Sequence, residues 1–499
     1  MTVLPYSNSA HERALIADFP VPSQGGFATG ALLEQLARAL EAQGLAYCQW
    51  KGHWSAHRWM SGQGDVDLLV DRAARAEFRR LMGELGFKPA LPSGERQIPA
   101  LESYLGYDPA IPRPLHLHVH YRLMLGDFGK PVYRLPIEDA VLASARQSEL
   151  FRIPAPSYQF LIFVLRMMLR QLGRPLLSLQ TGWLTGIQPP LFSFESAADE
   201  TQVESVLQRH VPSIDLPLFR RCVRSLQGRA GVLERAVLPW ILARRLRPYL
   251  RRPPISALAT AIVEKLLPPG DADLTLQQRL RLTGVGTVIA LLGGDGAGKS
   301  TCARELAVWM GAALPVMRAH LGNPPRSPIS WVLSGVLKLD RALRTRFGWP
   351  ESPDGTLELL RHVSAARDRY LFFCRVSRFA AAGGIAICES YPIEETRTLI
   401  GPSIPALLKV DSGRLARALR NLEGSYYRRI TRPDLICVLR LDPELAVLRK
   451  PESPADQVRA RARFIWNTDW ISGRAQVIDA GKPLPDVLRQ LKSVIWPAL

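Results

Sequence analysis

Residues Val288 to Thr301 read VIALLGGDGAGKST. An apolar run enters Gly293 and Gly294, and Asp295, Gly296, Ala297, Gly298, Lys299, Ser300 and Thr301 then complete G-x-x-x-x-G-K-[ST]. A triphosphate needs several donors converging on a small volume. Glycines let the backbone curl so that consecutive N–H groups point inward. The helix that follows, with Cys302, Leu306, Trp309 and Met310 at helical spacing, adds unpaired amides and a favourable dipole. The stretch therefore reads as a phosphate-binding loop for ATP. Lys299 reaches toward the β- and γ-phosphates, and the Ser300 hydroxyl ligates Mg2+.

Around this loop the spacing predicts strands at Thr287 to Leu292, Pro315 to His320, Ile385 to Glu389, Leu435 to Leu441 and Ala475 to Ile478, with helices between them. That alternation implies a parallel α/β sheet. The chain has 499 residues, which calls for two or three domains, and 47% hydrophobic against 22% charged residues is the balance of a folded protein. Net charge is +19, which favours anionic partners without choosing among nucleotides, nucleic acid, lipid and polysaccharide. The six cysteines show no C-x-x-C pair, so neither a zinc frame nor a disulfide frame is expected, and a cytoplasmic location fits. The N-terminus lacks the apolar core of a signal peptide. The apolar stretch Tyr158 to Leu172 is interrupted by Arg166 and Arg170 and is too short to span a bilayer.

From these breaks the chain divides into a leader (1–28), a first domain (29–150), a helical basic region (151–270) and a C-terminal domain (284–499), with Pro268 to Asp273 as linker. In the first domain, ALLEQLARALEAQGL predicts a helix closed by Gly44. Asp65 and Asp67, in GDVDLLVD, project to one side of a strand and form a candidate Mg2+ site. Farther on, His116, His118 and His120 alternate on another strand, either to bind a divalent metal or to hydrogen-bond the two acids. In the helical region, Gln188 to Ser196 reads as a loop rich in Pro and Phe. The arginines between Arg220 and Arg252 form either a surface for an anionic lipid, nucleic acid or polymer, or a solvated helical face.

Two resemblances follow. Lys51-Gly52 upstream of Asp65 and Asp67 resembles the nucleotidyltransferase superfamily over about residues 30 to 150, although Gly52-His53 replaces Gly-Ser and the histidine strand stands where a third carboxylate is usual. GGDGAGKST, GGIAICESYP, RPDLICVLRLDPE, the basic segment from Arg449 to Arg463 and QVIDA resemble the thymidylate kinase-like P-loop phosphotransferases over about residues 285 to 499. The second resemblance implies that Asp295 contacts the acceptor and Glu389 serves magnesium. Arg459, Arg461 and Arg463, with Arg449 and Lys450, occupy the place of a mobile lid.

The family's Asp-Arg-Tyr is here Glu389-Ser390-Tyr391, so another cation has to replace the arginine. Arg367 and Arg369 are further candidates for acceptor phosphate, and Tyr426 and Tyr427 read as core. The Arg-Glu-Pro-Gly motif of true thymidylate kinases is missing after His320, which leaves the acceptor open among nucleotides and other phosphorylated or hydroxylated small molecules. The expected function is ATP- and Mg2+-dependent phosphotransfer. Its alternatives are nucleotide-gated binding, with a polysaccharide-assembly partner on the basic region, and nucleotidyl transfer by the first domain. Homodimerisation is left open.

Overall fold

A computed structural model of the chain describes residues 30–92, 100–126, 132–172, 182–251, 280–284, 286–347, 356–396, 399, 401–402, 404, 413–470 and 475–499. The leader and the linker lie outside the described residues. The chain divides into two compact units, Met1–Gln278 and Arg279–Leu499.

The first unit opens with α1 (Ala31–Ala42), whose Leu32, Leu33, Leu36, Ala37 and Leu40 are buried at helical spacing. Gly44 ends it with a φ of 62°, and the Gly44 and Leu45 amides donate back to the Glu41 and Leu40 carbonyls. There follow β1 (Tyr47–Lys51), α2 (Ala56–Met60), β2 (Asp65–Val70), α3 (Arg75–Glu84), β3 (Lys88–Pro92), β4 (Leu101–Gly106), β5 (Leu115–His120), β6 (Leu123–Leu125), β7 (Tyr133–Leu135) and α4 (Glu138–Ala143). The main strands lie in the order β1-β2-β5-β4-β3, with β2 and β5 parallel and the other pairs antiparallel. Strand alternation gives this sheet two apolar faces. Val66, Leu68 and Val70 pack with α1 and α3, whereas Cys48, Trp50 and Leu69 pack with the helices that follow.

Those helices are α5 (Pro156–Arg170), α6 (Gly182–Ala197), α7 (Glu200–His210), α8 (Leu216–Leu226) and α9 (Val232–Arg245). The segment Gln188 to Ser196, expected as a loop, is helical within α6 and carries Pro189 and Pro190 inside it. Burial of Leu191 and Phe194 in the shared core outweighs the cost of two missing amide donors. Along α8 and α9 several arginines are engaged nearby: Arg220 with Glu200, Arg221 with Glu234 and Arg245 with Asp215. None of the described helices is long and apolar enough to cross a membrane. All six cysteines are free thiols.

The second unit comprises β8 (Leu280–Leu282), β9 (Thr287–Gly293), α10 (Lys299–Gly311), β10 (Val316–His320), α11 (Pro328–Phe347), α12 (Thr356–Ala381), β11 (Ile385–Glu389), α13 (Arg414–Arg428), β12 (Leu435–Arg440), α14 (Pro443–Arg449), α15 (Ala455–Asn467), β13 (Gln476–Asp479) and α16 (Leu484–Ala498). Five strands pair in parallel in the order β10-β11-β9-β12-β13. The chain leaves β9 toward one side of the sheet and β12 toward the other. The carboxyl end of β9 is thus a topological switch point, where the crevice of an open α/β sheet forms. The protein is mixed α/β, and the five strands read from the sequence match those observed to within a residue or two.

Candidate functional site

At that crevice the loop from Gly293 to Gly298 joins β9 to α10. Gly296 and Gly298 have φ of 75° and 83°, in the left-handed region, and a Cβ on Gly293 would lie 2.8 Å from the Leu439 carbonyl. The glycines therefore meet both a conformational and a packing requirement. Cys302, Leu306, Trp309 and Met310 of α10 are buried, which anchors the helix and leaves its first turn facing the crevice.

The Lys299 ammonium donates to the carbonyls of Gly293 (3.1 Å) and Gly294 (2.8 Å), so the lysine folds back over the loop. Burial pushes this ammonium below its ordinary value, against the opposing pull of Asp295 and Glu389. Ser300 donates its hydroxyl to Glu389 Oε2, and Arg318 on β10 lies 3.3 Å from Oε1 of the same carboxylate. Glu389 ends β11 beside the loop and is buried. Ser390 follows with a φ of 51°, an uncommon backbone for a residue other than glycine.

These groups border an open cavity of about 890 Å³, lined by residues 292–302 together with His320, Asn323, Ser390, Arg449, Lys450, Arg461 and Lys482. The basic segment divides here. Arg461 donates to Asp295 Oδ2 at 2.9 Å across the loop, whereas Arg459 is paired with Glu444 and Asp456, and Arg463 lies 4.0 Å from Glu444. Arg369 is buried and donates to the carbonyls of Leu321 and Gly322 and to the Tyr427 hydroxyl. It thereby shapes the wall after β10.

Sequence reasoning missed Arg318, Asn323 and Lys482. The period-two pattern of β10 puts Arg318 and His320 on one face, and only the pairing of β10 with β11, which sets Arg318 opposite Ile387 and His320 opposite Glu389, lets the Arg318 side chain reach Glu389.

In the first unit the parallel register sets Asp65 opposite His116 and Asp67 opposite His118. Asp65 Oδ1 is 2.8 Å from His116 Nδ1, and Asp67 Oδ1 is 3.3 Å from His118 Nδ1, 3.3 Å from His120 Nε2 and 2.8 Å from Lys51 Nζ. The protein packed around Asp65 works to raise its carboxyl even though 41% of the side chain is exposed, but the hydrogen bond with His116 and the two imidazoles outweigh this and hold it at about 2. For Asp67, burial is likewise outweighed, by the Lys51 ammonium and by His118 and His120, and the group sits well below the usual carboxylate range. His53 turns into the helices: its Nε2 meets Gln159 Oε1 at 2.9 Å, and its ring packs on Trp54 and Phe194.

No known family model matches the chain. Over 220 residues of its C-terminal part, 42% of its length, it is 23% identical to the uncharacterized ATP-binding protein YghR of Escherichia coli strain K12, of which 86% is covered. The protein of the same name from Escherichia coli O6:H1 is similar to the same extent.

Proposed function

We propose that residues 284–499 form an ATP- and Mg2+-dependent phosphotransferase of the thymidylate kinase-like P-loop type, acting on a nucleotide or a related small phosphorylated or hydroxylated acceptor. One observation carries this reading: a glycine loop, its Lys299 and the Ser300–Glu389 pair converge at the switch point of a parallel sheet, inside a cavity ringed by cations. The distant resemblance to a protein described as ATP-binding supports a nucleotide ligand.

Residues Gly293 to Thr301 hold the phosphates. Lys299 exchanges its two loop carbonyls for phosphate oxygens, an exchange favoured because burial already strains the ammonium. The donor set of Ser300 and Glu389 is hard oxygen, which fits Mg2+. When bound there, Mg2+ offsets charge on the phosphates. Asp295, held by Arg461, accepts from the acceptor hydroxyl. Arg461, Arg449, Lys450 and Lys482 supply positive potential around the transferring group, with Arg318 at Glu389 compensating in part for the arginine that Ser390 replaces. Arg459 and Arg463 join only if the segment leaves Glu444.

Ser390 also favours a second reading, nucleotide-gated binding without turnover, because no charge stands where the family has arginine. Titration with Mg·ATP by calorimetry, followed by product analysis over nucleoside monophosphates and sugar phosphates, separates the two. Lys299→Ala is expected to weaken ATP binding and lower any turnover at least about a hundredfold while the circular dichroism spectrum is kept. Unchanged phosphotransfer in that variant rejects the assignment.

A further inference from the structure

We propose that the first unit binds one divalent transition-metal ion on Asp65, His116 and His118, independently of the nucleotide site. The proposal differs from a two-carboxylate site, because Asp67 is already committed. It is 7% exposed and lies 2.8 Å from Lys51 Nζ and 3.3 Å from His120 Nε2, partners that remain when His118 Nδ1, 3.3 Å from Asp67 and 3.7 Å from Asp65, turns to a metal. Its charge is compensated where it stands.

Asp65 differs from Asp67 in being open to solvent, with 41% of its side chain exposed, and in feeling the Lys51 ammonium more weakly than Asp67 does. The parallel pairing of β2 with β5 puts it against two imidazoles, 2.8 Å from His116 Nδ1 and 3.7 Å from His118 Nδ1, and the two rings lie 4.3 Å apart. One ligand atom from each of the three side chains falls within 4.8 Å of the others. Ligands of a tetrahedral zinc ion with bonds of about 2.0–2.1 Å are separated by about 3.3 Å, so small side-chain shifts close the set.

His116 presents Nδ1 to Asp65, while its other ring nitrogen, Nε2, faces away into the protein and is buried without a hydrogen-bond partner. Two imidazoles and one carboxylate select zinc-like or ferrous ions over Mg2+, and leave a coordination position for water or an anionic oxygen on the exposed Asp65 side. All three ligands sit on paired strands, which supports a preformed site.

The test uses the full chain, stripped with a chelator and desalted. Calorimetric titration with Zn2+ is expected to show one tight equivalent that excess Mg2+ does not displace, and Co2+ is expected to give visible bands of mixed nitrogen and oxygen ligation. Asp65→Asn, His116→Gln and His118→Gln should each weaken Zn2+ at least about a hundredfold, with Ser300→Ala unchanged. The proposal is overturned if the wild type takes up no tight equivalent, if uptake survives both histidine replacements, or if Mg2+ competes equally. Should a replacement unfold the protein, the wild-type cobalt spectrum still decides, because bands lacking nitrogen ligation reject the site.

Discussion

His53 shows how a single side chain changes the reading of a motif. Next to Lys51 and Gly52 it reads in sequence as part of an anion-binding loop, but the imidazole is turned inward to Gln159 and the aromatic rings of Trp54 and Phe194. Burial lowers its pKa from 6.5 to about 4, with the Gln159 hydrogen bond opposing only in part. The folded state therefore binds fewer protons than the unfolded chain between those values. The stability His53 contributes is complete above about pH 6.5 and is lost as pH falls toward about 4. A His53→Gln variant should flatten the pH dependence of urea unfolding in that window, by at most about 1.4 kcal/mol per pH unit. Parallel curves for the two proteins would show that His53 does not titrate with unfolding.

The crevice wall depends on α12 and α13 as much as on the sheet. Arg369 reaches from α12 to the carbonyls of Leu321 and Gly322 and to Tyr427 on α13, and its ion lies over the Tyr427 ring. Arg369→Met keeps an unbranched apolar stem but removes the guanidinium and leaves buried acceptors unpaired, at a cost of about 2–4 kcal/mol in denaturant unfolding. Because Gly322 lines the cavity, the same change should weaken Mg·ATP binding without touching the loop. A loss below about 0.5 kcal/mol would mean that the wall re-forms around the missing guanidinium. In α6, by contrast, Pro189 and Pro190 suggested a break, and the helix persists because its apolar side is covered.

Each of the two units has its own apolar clusters: among the described residues, the clusters around the first sheet and α5–α9 contain residues only from the first unit, and those around the parallel sheet only from the second. Calorimetric unfolding of the full chain should therefore show two transitions. Mg·ATP at about a hundred times its dissociation constant should stabilise one unit by about 2.7 kcal/mol, raising one midpoint by roughly 5–10 °C and leaving the other in place. A single transition that moves as a whole would show that the units unfold together. The net charge of +19 does not form one uniform basic field, since arginines of α8 pair with Glu200 and Glu234. Steering of anions by this region should accordingly be weaker than the arginine content suggests.

Much of this was legible along the chain, because it depends on short-range rules. The glycine loop, the five parallel strands, the Gly44 helix end and the buried face of α10 follow from backbone conformation and from periods of two and 3.6, which a few consecutive residues express. Contacts between distant residues had no such signal. Arg461 meets Asp295 across 166 positions, and Arg318 meets Glu389 across 71; both depend on strand order, which no local pattern encodes. The same holds for Asp65 and Asp67, alike in sequence and separated in role by what folds against them: a lysine and two histidines over one, and solvent beside a histidine pair for the other. Local sterics act within a turn or a strand, whereas charge pairing and burial act between surfaces that meet only once the chain has folded.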